Sequence, residues 1–278
     1  MLYSAFSFPN DNIAHKSGKI LYWDPNLECY VNLLELQEKE IVKYRGFHFG
    51  LIPQLPRESL NPWIQVGIQN GEILKERLKW KKEQARQKVI EFLGKVAISN
   101  PKINYRKYVN QMSAGEAQRV CISLALLAMP KIVFADEMFS SLDSLTQAQL
   151  IDLVLSLKKD LNMNFVLATH NIGAAGQLCE KIGVIYGGEC IEFNDSNNFF
   201  KEPLHPYSKL LLESTPWYAV KSGKRLAEIP GEIPDSSNWP SGCKFHPRCP
   251  KATSLCAMKK PPRIYFGETF VECFLYAD

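Results

Sequence analysis

Several features that would assign a protein to a class at once are absent from this sequence. No apolar run approaches the roughly 20 residues of a membrane-spanning helix, and the longest, at residues 120–130, is interrupted by Ser123. The first seven residues contain no basic side chain, and Pro9, Asn10 and Asp11 end their apolar run, which excludes the pattern of a secretory signal peptide. An apolar content of 46% with 11% aromatics excludes intrinsic disorder. We therefore expect a soluble, cytosolic protein.

An excess of one charge is also missing. The 33 Lys and Arg residues face 29 Asp and Glu residues, for a net charge of +4 among 278 residues. This net charge is too small and too dispersed to indicate a nucleic-acid partner, so we expect no binding to nucleic acid. Residues 72–96 have the spacing of an amphipathic helix or helix pair, and we interpret its Lys-rich side as a solvated face.

Short apolar runs alternate with helical patterns along the first 195 residues. Such alternation predicts an α/β fold with a parallel sheet covered on both faces by helices. Two further strands are separated by Gly187 and Gly188, which is typical of a hairpin. The predicted strands are residues 18–23, 47–52, 132–135, 165–168, 182–186 and 189–193, and the predicted helices are residues 72–96, 113–129 and 148–161.

After Asp195 the composition changes, because prolines interrupt the chain and only residues 207–213 have a helical pattern. We predict two domains, residues 1–195 with a helical subdomain at about 60–130, and a loop-rich extension at residues 196–278. Four cysteines of this extension are spaced C-x5-C-x6-C-x16-C, at Cys243, Cys249, Cys256 and Cys273. Without an export signal, this clustering favours metal ligation over disulfides, and four thiolates suit either zinc or a [4Fe–4S] cluster.

The other four cysteines lie scattered in apolar or strand-like segments. We expect buried, inert thiols at these positions. They are Cys29, Cys121, Cys179 and Cys190.

Charged and polar side chains follow two of the predicted strands. Asp136 and Glu137 end the strand at 132–135, and His170 follows the next one. Carboxyl ends of parallel strands are where ligands of such sheets gather. Two adjacent carboxylates there suit phosphoryl chemistry, one orienting magnesium and the next polarising a water molecule, and a nearby His could sense a γ-phosphate.

Other polar motifs gain meaning only from their order. Ser113, Ala114, Gly115 and Glu116 read as a capping box opening a helix, whose first N–H groups suit an anion. Residues 140–143 follow the acidic pair and end in Asp143. Gln54 follows another apolar run, and by itself it indicates no function.

Together these motifs resemble the nucleotide-binding subunits of ATP-binding-cassette (ABC) transporters. The resemblance implies a P-loop NTPase-like parallel sheet, an inserted helical subdomain, and ATP with Mg²⁺ as cofactors. It also implies a role for each motif. Asp136 would be the magnesium carboxylate and Glu137 the catalytic carboxylate, with His170 as the switch histidine and Gln54 as the Q-loop glutamine. Ser113 and Gly115 would be the signature residues, and Asp143 the D-loop residue.

The extension is similar to that of oligopeptide and dipeptide importer ATPases, on residues 204–207, 229–234 and 242–249. This resemblance implies a bacterial importer with a second ATPase subunit, two transmembrane permease subunits and a periplasmic peptide-binding protein. It places the chain peripherally on the cytoplasmic face of the inner membrane, where ATP hydrolysis drives peptide uptake. It also favours a [4Fe–4S] cluster over zinc at the four cysteines.

The sequence departs from the family pattern in its phosphate cradle. No G-x-x-x-x-G-K-[ST] motif occurs, since Gly18 and Lys19 are followed by Ile20 and position 13 is Ile rather than Gly. We expect that the chain starts inside or just after the P-loop helix and, alone, neither binds ATP tightly nor hydrolyses it. The alternative function is a truncated or degenerate, non-catalytic subunit that donates only its signature motif to a partner's ATP site. A soluble ABC protein of DNA repair or translation is disfavoured, because those proteins lack this extension.

Within the signature itself, Ala114 stands where a second glycine is usual and Glu116 is unusual at the last position. Met138 replaces the proline that usually follows the catalytic glutamate.

Overall fold

The computed structural model describes residues 17–140, 142–223, 225–235 and 237–277. The chain divides into two compact units, Met1–His170 and Asn171–Asp278, which are described separately below. Ile13, which stands at the glycine position of the missing P-loop motif, lies outside the described residues.

The first unit contains a short hairpin and a parallel sheet. Strands β1 (Leu21–Asp24) and β2 (Cys29–Asn32) pair antiparallel. Strands β3 (Phe49–Ile52), β4 (Ile132–Asp136) and β5 (Asn164–Ala168) pair in parallel, in the order β3-β4-β5. This confirms the predicted parallel sheet.

Helices also occur among the described residues of the first unit, and α6 at residues 114–126 contacts β3. Three of them were not predicted from the sequence: residues 38–44 and the two four-residue helices at 56–59 and 101–104. The helices are α1 (Glu38–Tyr44), α2 (Pro56–Ser59), α3 (Val66–Glu76), α4 (Lys82–Lys95), α5 (Pro101–Asn104), α6 (Ala114–Leu126) and α7 (Ser144–Leu161).

The amphipathic pattern at residues 72–96 forms parts of two helices, α3 and α4. Leu74, Val89, Phe92 and Leu93 are fully buried, so both helices turn one apolar face inward. Between the two helices Lys79 has a positive φ of 56°, which interrupts the helical hydrogen-bond ladder.

The second unit is built on an antiparallel sheet. It begins with α8 (Ile172–Leu178), followed by the predicted hairpin of β6 (Lys181–Tyr186) and β7 (Glu189–Asp195). The remaining elements are α9 (Ser196–Lys201), α10 (Pro206–Glu213), α11 (Pro216–Ser222), α12 (Ser254–Met258), β8 (Arg263–Phe266) and β9 (Thr269–Glu272).

The prediction that the extension has one helix, at residues 207–213, was wrong, because α9, α11 and α12 are helical too and its end forms two strands. Strands β8 and β9 join the hairpin to give the order β6-β7-β9-β8. β9 pairs with β7 at Val271 opposite Glu192 and at Phe270 opposite Phe193. Since the pairing partners lie far apart in the chain, no local periodicity reveals them.

The second unit has its own apolar core. Tyr186, Phe199, Leu212 and Phe245 are among its buried members, and Phe245 packs edge-on against Tyr186 with ring centroids 5.1 Å apart. Of the helices in the described part of the chain, none combines the length and apolar character that a membrane crossing requires.

Candidate functional site

The parallel sheet places four predicted site residues along one edge. Ile52, Ala135 and Leu167 are register partners across β3, β4 and β5. The residues that follow these positions therefore leave the sheet at the same edge, where α/β proteins bind ligands. They are Gln54, Asp136, Glu137 and His170.

Glu137 and His170 make two contacts with each other. The backbone N–H of His170 donates to Oε1 of Glu137 at 3.0 Å, and Nδ1 of His170 lies 2.8 Å from Oε2. The carboxylate side chain is 22% exposed and the imidazole 76% exposed. The pair thus joins the ends of adjacent strands and presents a partly buried carboxylate beside an accessible imidazole.

The backbone of Glu137 is left-handed, with φ of 44°, which is uncommon for a residue other than glycine. Bonds on both sides stabilise this conformation. Its N–H donates to the carbonyl of Ala168 at 2.9 Å, and its own carbonyl accepts from the N–H of Ser140 at 3.0 Å and from the hydroxyl of Ser140 at 2.9 Å. The sharp turn after β4 aims the Glu137 side chain at the end of β5.

The second group of predicted residues lies at the start of α6. Ser113 is the N-cap, as predicted: its Oγ accepts from the N–H of Glu116 at 3.2 Å, and the Glu116 carboxylate accepts from the N–H of Ser113 at 2.9 Å. Ala114 and Gly115 occupy the first two helical positions, whose N–H groups have no acceptor inside a helix. These N–H groups and the helix dipole suit an anion such as phosphate.

The start of α7 lies against the start of α6. A Cβ placed on Gly115 would come within 3.0 Å of Cγ2 of Thr146. Asp143 caps α7, accepting from the N–H of Thr146 at 3.0 Å and from its hydroxyl at 2.6 Å. These hydrogen bonds, first that from the Thr146 side chain, lower the pKa of Asp143. Asp143 is therefore ionised and held in place.

Two residues of this group were missed from the sequence. Thr146 could have been found, because Asp-x-x-Thr is itself a capping pattern. Arg57 carried no local signal: its guanidinium donates to the carbonyl of Met112, which connects α2 after Gln54 to the loop before Ser113. With the contact of Cys121 Sγ to the carbonyl of Pro56 at 3.8 Å, this bond joins the segment after Gln54 to α6 and the loop before it.

The four predicted metal-binding cysteines come together in the second unit. They line a cavity of about 250 Å³ together with His205 and His246. Burial raises the pKa of the Cys243 and Cys249 thiols and raises that of Cys273 to about 11. The N–H of Cys243 donates to the carbonyl of Cys256 at 2.8 Å, which joins two of the four.

The metal prediction itself is not confirmed. Among the described residues, no three His, Cys, Asp or Glu side chains are placed to hold a metal ion. The expectation that the scattered cysteines are buried was wrong for Cys29, which is exposed on β2, whereas Cys121 is buried. β2 belongs to a two-stranded ribbon, and its first two residues, Cys29 and Tyr30, are exposed.

The fold and the edge carboxylates define a mixed α/β protein suited to nucleotide phosphates. Comparison with known families supports this class: the family model described as ABC transporter matches residues 13–140, and the one described as oligopeptide/dipeptide transporter, C-terminal region, matches residues 191–256.

Relatives resemble the chain over nearly its whole length. A dipeptide transport ATP-binding protein, DppD, of Caldanaerobacter subterraneus subsp. tengcongensis is 38% identical over 97% of this chain and 80% of its own. An oligopeptide transport ATP-binding protein, AppD, of Bacillus subtilis is 36% identical over 96% of this chain and 81% of its own.

Among solved structures, the ATP-binding cassette MJ0796 bound to ADP and Pi has a TM-score of 0.53 and 26% identity. The match covers 60% of this chain and 70% of that one. The chain belongs to the ABC transporter ATPase family, in the group that carries the oligopeptide/dipeptide transporter C-terminal region.

Proposed function

We propose that this chain is the ATP-binding, energy-coupling subunit of a bacterial oligopeptide or dipeptide importer. The observation that carries the proposal is the pairing of Glu137 with His170 at the carboxyl ends of the parallel strands, where Oε2 of Glu137 lies 2.8 Å from Nδ1 of His170. The chain belongs to a family of ATPases, in which such a pair suits phosphoryl chemistry. The names of the relatives, which are dipeptide and oligopeptide transport proteins, support peptide as the transported substrate.

Each edge residue has a proposed role toward Mg²⁺-ATP, which the family binds. Asp136, at the end of β4, would hold Mg²⁺, which neutralises charge on the phosphates when bound. Glu137 orients and polarises the attacking water, and His170, whose imidazole is exposed, responds to the γ-phosphate. Gln54, exposed after β3, completes this edge.

The start of α6 has a proposed role toward a second subunit. Ser113 and Gly115 would face the triphosphate held by a partner, where the free N–H groups of the helix start stabilise negative charge. Asp143 starts the neighbouring helix and would lie at the same boundary. Closure of two such subunits would exclude water from the phosphates and move the permease helices.

The proposed assembly follows from this role. It contains a second ABC ATPase subunit, two transmembrane permease subunits and a periplasmic peptide-binding protein, with this chain on the cytoplasmic face of the inner membrane. Residues 1–195 would bind nucleotide, and residues 196–278 would form the transporter-specific extension, consistent with a family match that begins at residue 191.

The alternative to this function is a non-catalytic role. The chain would then be a non-catalytic subunit that lends only Ser113 and Gly115 to a partner's ATP. Titration of ATP against the purified chain, with and without a subunit that has a P-loop, separates the two. Turnover that requires Glu137 of this chain supports the catalytic role, and turnover that survives Glu137→Gln but not loss of Ser113 supports the other.

For the extension, we propose that the cysteine-lined cavity holds a [4Fe–4S] cluster. Four cysteines line a cavity larger than a single ion needs, and a cluster bound there would draw their thiols together and pin the chain around Cys243, Cys249, Cys256 and Cys273. Anaerobic reconstitution with iron and sulfide should produce the visible absorption of a cluster, and Cys273→Ser should abolish it. Cys29→Ser is the matched control and should change nothing. Zinc bound at one equivalent in place of iron would contradict the proposal.

A further inference from the structure

The positive charge of this chain is concentrated in one segment. Residues 75–107 contain eleven Lys or Arg and three Glu, a net charge of +8, whereas the net charge of the whole chain is +4. All other residues together therefore carry −4. The expectation of dispersed charge was wrong, and the charged segment comprises the end of α3, all of α4 and α5.

A continuous run of exposed residues, 76–84, includes the connection between α3 and α4, residues 77–82, here called the α3–α4 turn. Leu78 and Trp80 are each 38% exposed, and the lysines that flank Trp80 are exposed as well. These lysines are Lys79, Lys81 and Lys82.

The nearby glutamates do not neutralise the lysines of the α3–α4 turn. Glu91 pairs with Lys88 and Lys95 at 3.0 and 3.1 Å, and Glu83 lies 3.6 Å from Arg86. Within the described residues, none of the three lysines in the turn has a carboxylate within the 4.0 Å of an ion pair. Their charges therefore face solvent or a partner.

Local stability does not explain lysine at these positions. Lys79, two residues after the C-cap Arg77 of α3, has a φ of 56°, a left-handed conformation in which glycine is preferred. Lys81 is the N-cap of α4 and Lys82 its first residue, where the helix dipole disfavours cations. Residues that contradict local preference in this way are expected at functional sites.

Exposed Trp beside several Lys is the composition of segments that lie on lipid bilayers. An indole ring sits at the level of lipid headgroups, and anionic headgroups attract lysines near the surface. An acidic polypeptide would account for the lysines but not for Leu78 and Trp80 being exposed beside them.

We propose that the α3–α4 turn binds the surface of a bilayer that contains anionic phospholipids, with Trp80 at the headgroup level and Lys79, Lys81 and Lys82 against the lipid phosphates. This contact goes beyond the proposed function of the nucleotide site and does not depend on it. It would give the chain a direct attachment to the membrane, separate from any permease.

Co-sedimentation of the full chain with vesicles tests this proposal. The chain should bind vesicles of phosphatidylcholine with phosphatidylglycerol, and more weakly those of phosphatidylcholine alone. In the triple variant K79Q/K81Q/K82Q, the partition coefficient for anionic vesicles should fall roughly 100-fold, since each lysine near the surface contributes separately. The triple variant K39Q/K43Q/K209Q removes the same charge from exposed positions elsewhere and should bind like the unmodified chain.

A second measurement locates the contact. Vesicles with brominated acyl chains should quench part of the tryptophan fluorescence, and Trp80→Phe should remove that part, although four other tryptophans remain. The thermal midpoint of K79Q/K81Q/K82Q should be unchanged or higher, which excludes unfolding as the cause of lost binding.

Three results would overturn the proposal: no preference for anionic vesicles, an equal loss in the two triple variants, or quenching that survives Trp80→Phe. If the chain does not co-sediment with vesicles but binds polyglutamate through the same three lysines, an acidic protein is the partner and the bilayer proposal is wrong.

Discussion

Glu137 accepts a hydrogen bond from the backbone N–H of His170 at 3.0 Å, and its other carboxylate oxygen lies 2.8 Å from Nδ1 of the same residue. The two residues end adjacent parallel strands, β4 and β5, and the left-handed backbone of Glu137 turns its side chain toward β5. Because one carboxylate contacts both the backbone and the ring of His170, movement of the imidazole would also move the carboxylate.

Glu137→Gln is the direct test of the catalytic role. The amide keeps the size of the side chain and can still accept the backbone bond from His170, but it cannot act as a base. In an assembly that hydrolyses ATP through this chain, the turnover should fall about 100-fold or more with ATP binding retained. Asp152→Asn, which removes an exposed carboxylate of α7, is the control and should leave turnover unchanged.

Two substitutions of Ser113 separate its structural role from its role toward phosphate. Ser113→Ala removes the N-cap acceptor of Glu116 N–H, and the free energy of unfolding should fall by about 1 kcal/mol in urea titrations. Ser113→Asp keeps a capping oxygen and therefore the stability, but places a negative charge where a partner's triphosphate would lie. It should reduce the activity of a P-loop-bearing partner; full activity with Ser113→Asp would contradict the proposed signature role.

Gly67 and Gly71, four residues apart on α3, should respond oppositely to alanine. A Cβ on Gly67 would lie 2.1 to 2.4 Å from ring carbons of Tyr105, whereas one on Gly71 would only touch Val89 at 3.7 Å. Gly67→Ala should lower the free energy of unfolding by about 2 kcal/mol or more, and Gly71→Ala should raise it by up to about 1 kcal/mol. Equal effects in the urea midpoint would contradict the predicted overlap, and Tyr105→Ala should partly rescue Gly67→Ala.

The hydroxyl of Tyr44 donates to the buried carboxylate of Asp24 at 2.7 Å. This bond makes the free energy of unfolding depend on pH in the acid range. Burial alone would raise the pKa of Asp24, but the bonds from Tyr44 and from the N–H of Asn26 outweigh it and lower the pKa below the ordinary 3.8. Burial, and then the same contact with Asp24, raise the pKa of Tyr44 to about 12.

Because the pKa of Asp24 is lower in the folded state than in the unfolded state, its contribution to stability is complete above the unfolded value. It is lost as the pH falls through the folded pKa. Tyr44→Phe should therefore lower the free energy of unfolding by about 2 kcal/mol near neutral pH, and flatten its decline below about pH 4. Tyr30→Phe, exposed on the same hairpin, should change neither; an unchanged acid slope in Tyr44→Phe would show that the contact does not set it.

Helix ends and strand tips were predictable because their signals are local. Ser113 caps α6 as the capping-box pattern predicted, and the apolar runs before Asp136 and His170 form β4 and β5. Asp143, predicted only as a motif residue, also caps α7, which moves the start of that helix ahead of the predicted residue 148.

By itself, the sequence determined the parallel sheet, the order of the motifs along the chain and the carboxylate and histidine at the ends of neighbouring strands, since periodicity and caps depend on residues a few positions apart. Only the tertiary structure decided which of these residues touch. The bond from Arg57 to Met112, the proximity of Gly115 to Thr146 and the pairing of β9 with β7 join positions far apart in the chain, and the local pattern at either position does not specify the other. The same holds for the cavity that gathers Cys243 and Cys273, because a thiol's burial and neighbours depend on packing rather than on spacing.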